Sequence, residues 1–158
     1  MGNSIKKTKT IFEWNESLSV GVAVLDDDHK MFFEMAEQLN EIVLSKSSEP
    51  YVTDSIIIML EEYIEVHFCR EEDALLKTDR ECYEEHKRLH DAFRRRFRQI
   101  VKSYQTGDLT ALQQSPILVA NWINDHIKKV DLQYKQIILN KNIDNRPLGV
   151  LVGIQENG

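Results

Sequence analysis

The stretch IIIMLEEYIEVHFCREEDALL, Ile56 to Leu76, decides the fold. Ile56, Met59, Leu60, Tyr63, Ile64, His67, Phe68, Glu71, Ala74 and Leu75 recur there at intervals of three and four. That period gathers them on one inward stripe of a helix running from about Tyr51 to Lys77. Glu61, Glu62, Glu65 and Glu72 fall off the centre of the stripe. The stripe is not purely apolar, because His67 and Glu71 sit on it one turn apart. A buried, unpaired carboxylate is costly, so an inward Glu71 requires a partner.

Three further segments share this design. Upstream, Phe32, Phe33, Ala36, Leu39, Ile42 and Val43 mark a helix from about Asp28 to Leu44, with Asp26, Asp27 or Asp28 available as its cap. Ser45 to Pro50 breaks it. Downstream of a short turn at Thr78–Cys82, His86, Leu89, His90, Phe93, Phe97, Ile100 and Val101 mark a helix from about Tyr83 to Tyr104. Gly107-Asp108 forms the next turn. A fourth segment, about Leu109 to Asn140, carries Ile117, Leu118, Trp122, Ile123, His126, Ile127, Val130, Tyr134 and Ile137 on its apolar side. Pro116 must kink or restart it, with Ser115 as a plausible cap.

Residues 1–25 lack helical periodicity and read as an extended arm that lays Ile11, Phe12, Trp14, Leu18, Val20, Val22 and Val24 on a partner surface. Residues 141–158 change character. They contain a proline, three glycines and a short β-leaning run, Val150-Leu151-Val152, and read as an appendage. The fold expected is all-α: an antiparallel up-and-down four-helix bundle over 26–140, inside a domain of 1–140, with an extended N-terminal arm and a C-terminal extension.

Composition removes several function classes. The chain has 158 residues, 42% hydrophobic and 29% charged, which suits one soluble domain with a real core. The net charge of −6 argues against nucleic acid as a partner. The one basic run, Arg94-Arg95-Arg96-Phe97-Arg98, reads as a solvated helix face. No window is apolar enough to span a membrane. MGNSIKKTKTIFEW has no apolar run behind its lysines, so no secretory signal is expected. Two cysteines without a CxxC pair suit free thiols in a reducing compartment, and the cytoplasm is the expected location. No HExxH, GxSxG, P-loop or GxGxxG motif is present.

All five histidines join one spaced set with two acids: His29, His67 with Glu71, His86 with His90, and His126 with Asp131. Single histidines on apolar faces are commonly packing residues. Five of them with two inward acids on four helices are a metal-ligand inventory. Five nitrogens and two carboxylates exceed the needs of one ion and fit two, if each carboxylate bridges. Imidazole and carboxylate without a required thiolate suit iron, manganese or zinc, and so many ligands favour six-coordinate iron over a zinc pair. The ferritin-like sites of helical bundles are carboxylate-rich, the inverse of this balance. His126 and Asp131 are the weakest pair. Five residues place them about 140° apart on an ideal helix, so a common site needs a long reach or a locally adjusted helix.

The constellation resembles the hemerythrins, specifically the prokaryotic single-domain ones, over about Phe12 to Asn140. The matching blocks are Phe12-x-Trp14, Gly21-Val22, Leu25-Asp26-x-x-His29-Lys30, His67-Phe68-x-x-Glu71-Glu72, His86-x-x-x-His90 followed by Phe93, and Trp122-x-x-x-His126-Ile127-x-x-x-Asp131. The resemblance implies a non-haem di-iron centre with an oxo or hydroxo group as a further bridge. His86, His90 and His126 would hold one iron, His29 and His67 the other, and Glu71 and Asp131 would bridge. O₂ would bind reversibly at the iron with two histidines, in a pocket including Phe32, Phe68, Trp122, Ile123 and Ile127. Tyr134 would stand just outside the ligands and tune them or access to them. Asp28, where the family commonly has Gln, reads as a solvent-side residue of the helix start that could adjust the field near His29.

The function this implies is O₂ storage, transport or delivery, without turnover of a substrate. Two alternatives are an O₂ or redox sensor acting through a protein partner, with the tail as its output, and a di-iron oxidase or peroxide-handling enzyme.

Overall fold

The computed structural model describes residues 13–45, 49–138 and 143–155, the last four of these for the backbone alone. Ile11, Phe12 and Asn140 lie outside the described residues. Helix α1 spans Ala23–Ser45, α2 Pro50–Leu76, α3 Arg80–Gln105 and α4 Ser115–His126. A π-helical turn, Ile127–Asp131, and the single turn α5, Leu132–Tyr134, prolong α4. Short 3-10 turns occupy Glu16–Leu18 and Ala111–Gln114, and the tail ends in α6, Leu148–Gln155. Helices α1 to α4 form the four-helix bundle. The most extensive contacts between them join α1 with α2, α1 with α4 and α2 with α3. Between α3 and α4, the Phe93 and Trp122 rings stack at 4.2 Å.

The arm carries apolar weight as expected: Leu18, Val20 and Val22 are buried. It is shorter than the alternation of valines suggests, because α1 starts at Ala23 and not near Asp28. Gly21 explains the early turn. Its φ of 77° is left-handed, and an added Cβ would lie 2.9 Å from the Lys135 side chain. Asp26 does not cap the helix from outside. From within the first turn it accepts from the Val20 N–H at 2.8 Å and the Ser19 hydroxyl at 2.6 Å, fastening arm to helix.

The other helix ends follow local chemistry. Pro50 occupies the first turn of α2, where a missing N–H costs nothing. Asp79 accepts from the Cys82 N–H at 3.0 Å, so α3 begins at Arg80 and the turn before it is shorter than the polar sequence implies. Gly107, at φ 103°, ends α3's descent as the Gly-Asp pair predicts. α4 restarts at Ser115-Pro116. Ser115 is not its cap, since its hydroxyl donates back to the Leu112 carbonyl at 2.8 Å.

Two apolar positions assigned inward, Met59 and Ile117, are exposed at the edge of their stripes, and Leu89 and Val130 are half-buried outside the core cluster. Val150-Leu151-Val152 is helical within α6, because the preceding Pro147 carbonyl accepts the first helical N–H groups. Ile143 and Leu148 of the tail are buried, and α6 packs on α2.

Candidate metal centre

Each ligand candidate reaches the bundle axis from a different part of the fold. His29 lies on α1, His67 and Glu71 one turn apart on α2, His86 and His90 one turn apart on α3. His126 is the last residue of α4, and Asp131 closes the π turn. An α-helical path would separate the last two by about 140°. In the π turn the ladder runs from i to i+5, which stacks residues five apart. Asp131 Oδ1 consequently lies 3.1 Å from His126 Nε2. All seven side chains are buried.

The nitrogens fall into two groups. The Nε2 atoms of His90 and His126 are 3.1 Å apart, and those of His126 and His86 3.2 Å. Three imidazole nitrogens converging this closely cannot all be satisfied by hydrogen bonds to one another. The spacing is what ligation gives, since two nitrogens about 2.1 Å from one ion at right angles are about 3 Å apart. The second group is His29 and His67, whose rings meet edge-to-face at 4.9 Å.

The carboxylates lie between the groups. Glu71 Oε2 is 3.2 Å from His86 Nε2, 3.4 Å from His90 Nε2 and 3.5 Å from His67 Nε2, and its Oε1 is 3.7 Å from His29 Nε2. Asp131 turns Oδ1 to His126 and Oδ2 to His29, the latter at 3.4 Å. Each acid thus spans both groups. The ligand atoms of Glu71, His86, His90 and His126 lie within 4.8 Å of one another, as do those of His29, His67 and Glu71.

Whether the residues fit metal is decided by what they lack. His29 Nδ1 and Nε2, His67 Nε2 and both Asp131 oxygens are buried without a hydrogen-bond partner. A buried carboxylate with two bare oxygens is strongly destabilising unless a cation compensates it. The proton equilibria agree. Burial pushes Glu71 up, but His67, His29, His86 and His90 together hold it well below the ordinary range. Burial and the Glu71 charge raise Asp131, yet His126 and His29 bring it below its ordinary value. Burial lowers His29 and His86, and the same two acids raise them further. A pair of cations replaces this shared protonation directly. Burial and both acids raise Tyr134 well above the usual phenol value, so it keeps its proton and donates a hydrogen bond to Glu71 Oε1.

Outside the ligands stand two carboxylate–arginine braces. His90 Nδ1 donates to Glu72 Oε1 at 2.9 Å, and Arg94 Nη1 donates to the same oxygen at 2.8 Å. Arg94 also reaches Glu65 and Asp91, each at 2.9 Å. His67 Nδ1 donates to Asp28 Oδ2 at 3.1 Å, and Arg70 Nη1 to that oxygen at 2.7 Å. A carboxylate on Nδ1 fixes the tautomer and aims a bare Nε2 at the metal.

These braces overturn two readings of the sequence and sharpen a third. Asp28 is buried against His67, not solvent-side near His29. Glu72, off the centre of its stripe, is nonetheless buried. Arg94 is buried in ion pairs, while Arg95, Arg96 and Arg98 are exposed as expected. The signal was present in the spacing: Asp28 is in phase with Leu25, Phe32 and Met35, and Arg94 follows His90 by one turn.

A cavity of about 10 Å³ adjoins the ligand rings, lined by Phe32, Ile64, Phe68, Phe93, Val119, Trp122 and Ile123. Phe32 meets the His67 ring at 5.0 Å, Phe68 stacks on His90 at 3.7 Å, and Trp122 stacks on His126 at 4.3 Å. Of the expected pocket residues, Ile127 is fully buried but is not among those lining this cavity. Ile64, Phe93 and Val119 join it instead.

The fold and the site together define a class, a helical bundle built around a histidine-rich, two-ion metal centre. The family model of the hemerythrin HHE cation binding domain matches residues 20–138, and the chain belongs to the hemerythrin family. It is 29% identical over 130 residues to bacteriohemerythrin of Clostridium acetobutylicum, covering 78% of this chain and 98% of that protein. Bacteriohemerythrin of Pseudomonas aeruginosa is 27% identical over 121 residues, 77% of each chain. Myohemerythrin of Sipunculus nudus is 28% identical over 127 residues, 78% of this chain and 91% of that protein. With this family and this donor set, the cofactor is a non-haem di-iron centre.

Proposed function

We propose that the chain binds O₂ reversibly at its di-iron centre, as a store or carrier, without turning over a substrate. The observation that carries this is the unequal division of donors. His86, His90 and His126 with the two bridging acids offer five protein groups to one ion, and His29 and His67 with the same acids offer four to the other. With one protein donor fewer, the two-histidine ion would have the more open coordination, and a small ligand would bind there. A di-iron pair held by these seven side chains would supply the two electrons that reversible O₂ binding needs.

The side chains supply the surroundings that keep such an exchange reversible. Phe32, Ile64, Phe68 and Trp122 make a dry wall with no donor able to protonate a bound ligand and drive its loss. Ile123 and Val119 close the rest of that wall. Tyr134 keeps its own proton and donates a hydrogen bond to Glu71, so it stabilises the carboxylate charge without releasing acid into the site.

The test is an O₂ titration of the anaerobically iron-loaded protein followed by optical spectra. The expected result is a visible charge-transfer band that rises with O₂ and vanishes under vacuum over repeated cycles. Bleaching within one exposure overturns carriage, and sustained O₂ consumption with an added reductant or substrate assigns the protein to the oxidases. A sensor role has one observation in its favour, the contact of the tail with Arg70.

We also place the protein in a reducing compartment, consistent with the cytoplasm. Cys69 is exposed, Cys82 half-buried, and both are free thiols. Among the described residues, no helix is long and apolar enough to cross a membrane.

A further inference from the structure

The tail lies beyond residues 20–138 that match the family, yet it touches the support of a metal ligand. Arg70 follows His67 by three residues on α2 and is buried. Its Nη1 donates to Asp28 Oδ2 at 2.7 Å, and its Nη2 donates to the backbone carbonyl of Arg146. Asp28 Oδ2 in turn accepts from His67 Nδ1 at 3.1 Å. A guanidinium taken out of water needs its acceptors, and Arg70 Nε already has none. The Arg146 carbonyl is therefore one of two anchors for this side chain.

The carbonyl is held in place from its own side. Asp144 Oδ1 accepts from the Arg146 N–H and Nε, each at 3.0 Å, which folds the segment over. Buried Leu148 then seats α6 on α2. A crevice of about 410 Å³ opens between this segment and α1, with Asp28 in its wall. The relay from the tail to His67 thus runs beside solvent.

We infer that Arg70 is a positioning residue for His67, and that the tail, through the Arg146 carbonyl, sets how firmly the two-histidine half holds its metal. Arg70 fixes Asp28, Asp28 fixes the tautomer and angle of His67, and lifting the tail loosens all three. The inference rests on the reading that His67 is a ligand.

The experiment uses full-length Arg70→Gln, Leu148→Asp and Asp28→Asn, loaded with iron under anaerobic conditions. The readouts are iron per chain, the release of each iron to a chelator, and, in the zinc-loaded form, the Nδ1–H resonance of His67 in protein with isotope-labelled histidine. Arg70→Gln and Leu148→Asp should each speed release of one iron about tenfold, leave the other unchanged, and shift the His67 resonance. In the Asp28→Asn background, neither change should add further release, because the relay is already cut. Unchanged release and resonance in Arg70→Gln overturn the inference, as does full additivity with Asp28→Asn. A wild-type chain that holds only one metal, or a His67→Ala variant that still holds two, overturns the ligand reading instead. Leu148→Asp bears on the tail separately. If it folds with α6 displaced and releases iron like the wild type, Arg70 acts without the tail and the strap is refuted.

Discussion

The two halves of the metal centre are braced by the same chemistry anchored in different places. On the three-histidine side, Glu72 holds His90, and Arg94 holds Glu72. Arg94's remaining contacts, Glu65 and Asp91, belong to α2 and α3 themselves. On the two-histidine side, Asp28 holds His67, and Arg70 holds Asp28. Arg70's remaining contact is a carbonyl of the tail. One brace closes within the bundle, and the other closes on a segment outside the family domain. Any adjustment by the tail would thus fall on the half with fewer donors, while the brace of the half with more donors is held between α2 and α3. Glu71 and Asp131 reach both histidine groups, whereas each brace touches a histidine of one group alone.

Removing a bridge should have the largest effect, because it erases the distinction between the halves. Glu71→Ala or Asp131→Ala should reduce iron from two per chain to one or none, measured by metal analysis after desalting. Two retained irons in either variant contradict the bridging assignment. His86→Ala comes next and should be selective. It should cost the three-histidine ion more than about 100-fold in affinity, beyond the range typical of outer supports, while the two-histidine ion is weakened less. Equal loss of both ions would mean that the halves are not separable.

The Glu72 brace should show a smaller effect of about 10–100-fold on the three-histidine ion in Glu72→Gln, read as faster release to a chelator. It also has a pH signature. Burial raises Glu72, but His90 and Arg94 bring it down to about 2 from the ordinary 4.5. A depressed acid contributes stability that is complete above its unfolded value and fades as pH falls through the folded one. The metal-free wild type should therefore lose stability between about pH 4.5 and 2, and Glu72→Gln should lose less in that window. An identical acid-unfolding slope in both proteins would remove Glu72 from the brace.

Much of this was legible from the chain. The four helices follow from apolar periodicity, and the seven ligand candidates follow from histidine and acid spacing. The geometry of His126 and Asp131 was not, because a π turn depends on which backbone bonds win locally, and two buried ions reward a register that propensity does not encode. The braces were hidden for a different reason. Asp28, Glu72 and Arg94 are charged, and charge reads as surface when residues are taken singly. Burial becomes tolerable only when an arginine on one helix and an acid on another are both counted against a histidine, and such cross-helix pairs have no fixed sequence separation. The tail failed as a strand because β-branched residues favour strands only where a neighbouring strand exists. Here the available partner was the surface of α2.

The smallest effect should come from within the same basic run, and it separates a brace from a decoration. Arg98 Nη2 lies 3.7 Å from Glu65 and is exposed, a contact that solvent screens and side-chain entropy opposes. Arg98→Ala should change stability by no more than about 0.5 kcal/mol and leave iron release untouched. Arg94 shares Glu65 with it but is buried, and it also holds Glu72 and Asp91. Arg94→Ala leaves buried Glu72 with less compensation, so it should cost about 3 kcal/mol and speed release from the three-histidine ion. Thermal unfolding of the metal-free proteins, paired with chelator kinetics of the loaded ones, makes the comparison. If the two substitutions behave alike, Glu65 alone carries the arginine contacts, and the bundle-locked half is no better anchored than the half that depends on the tail.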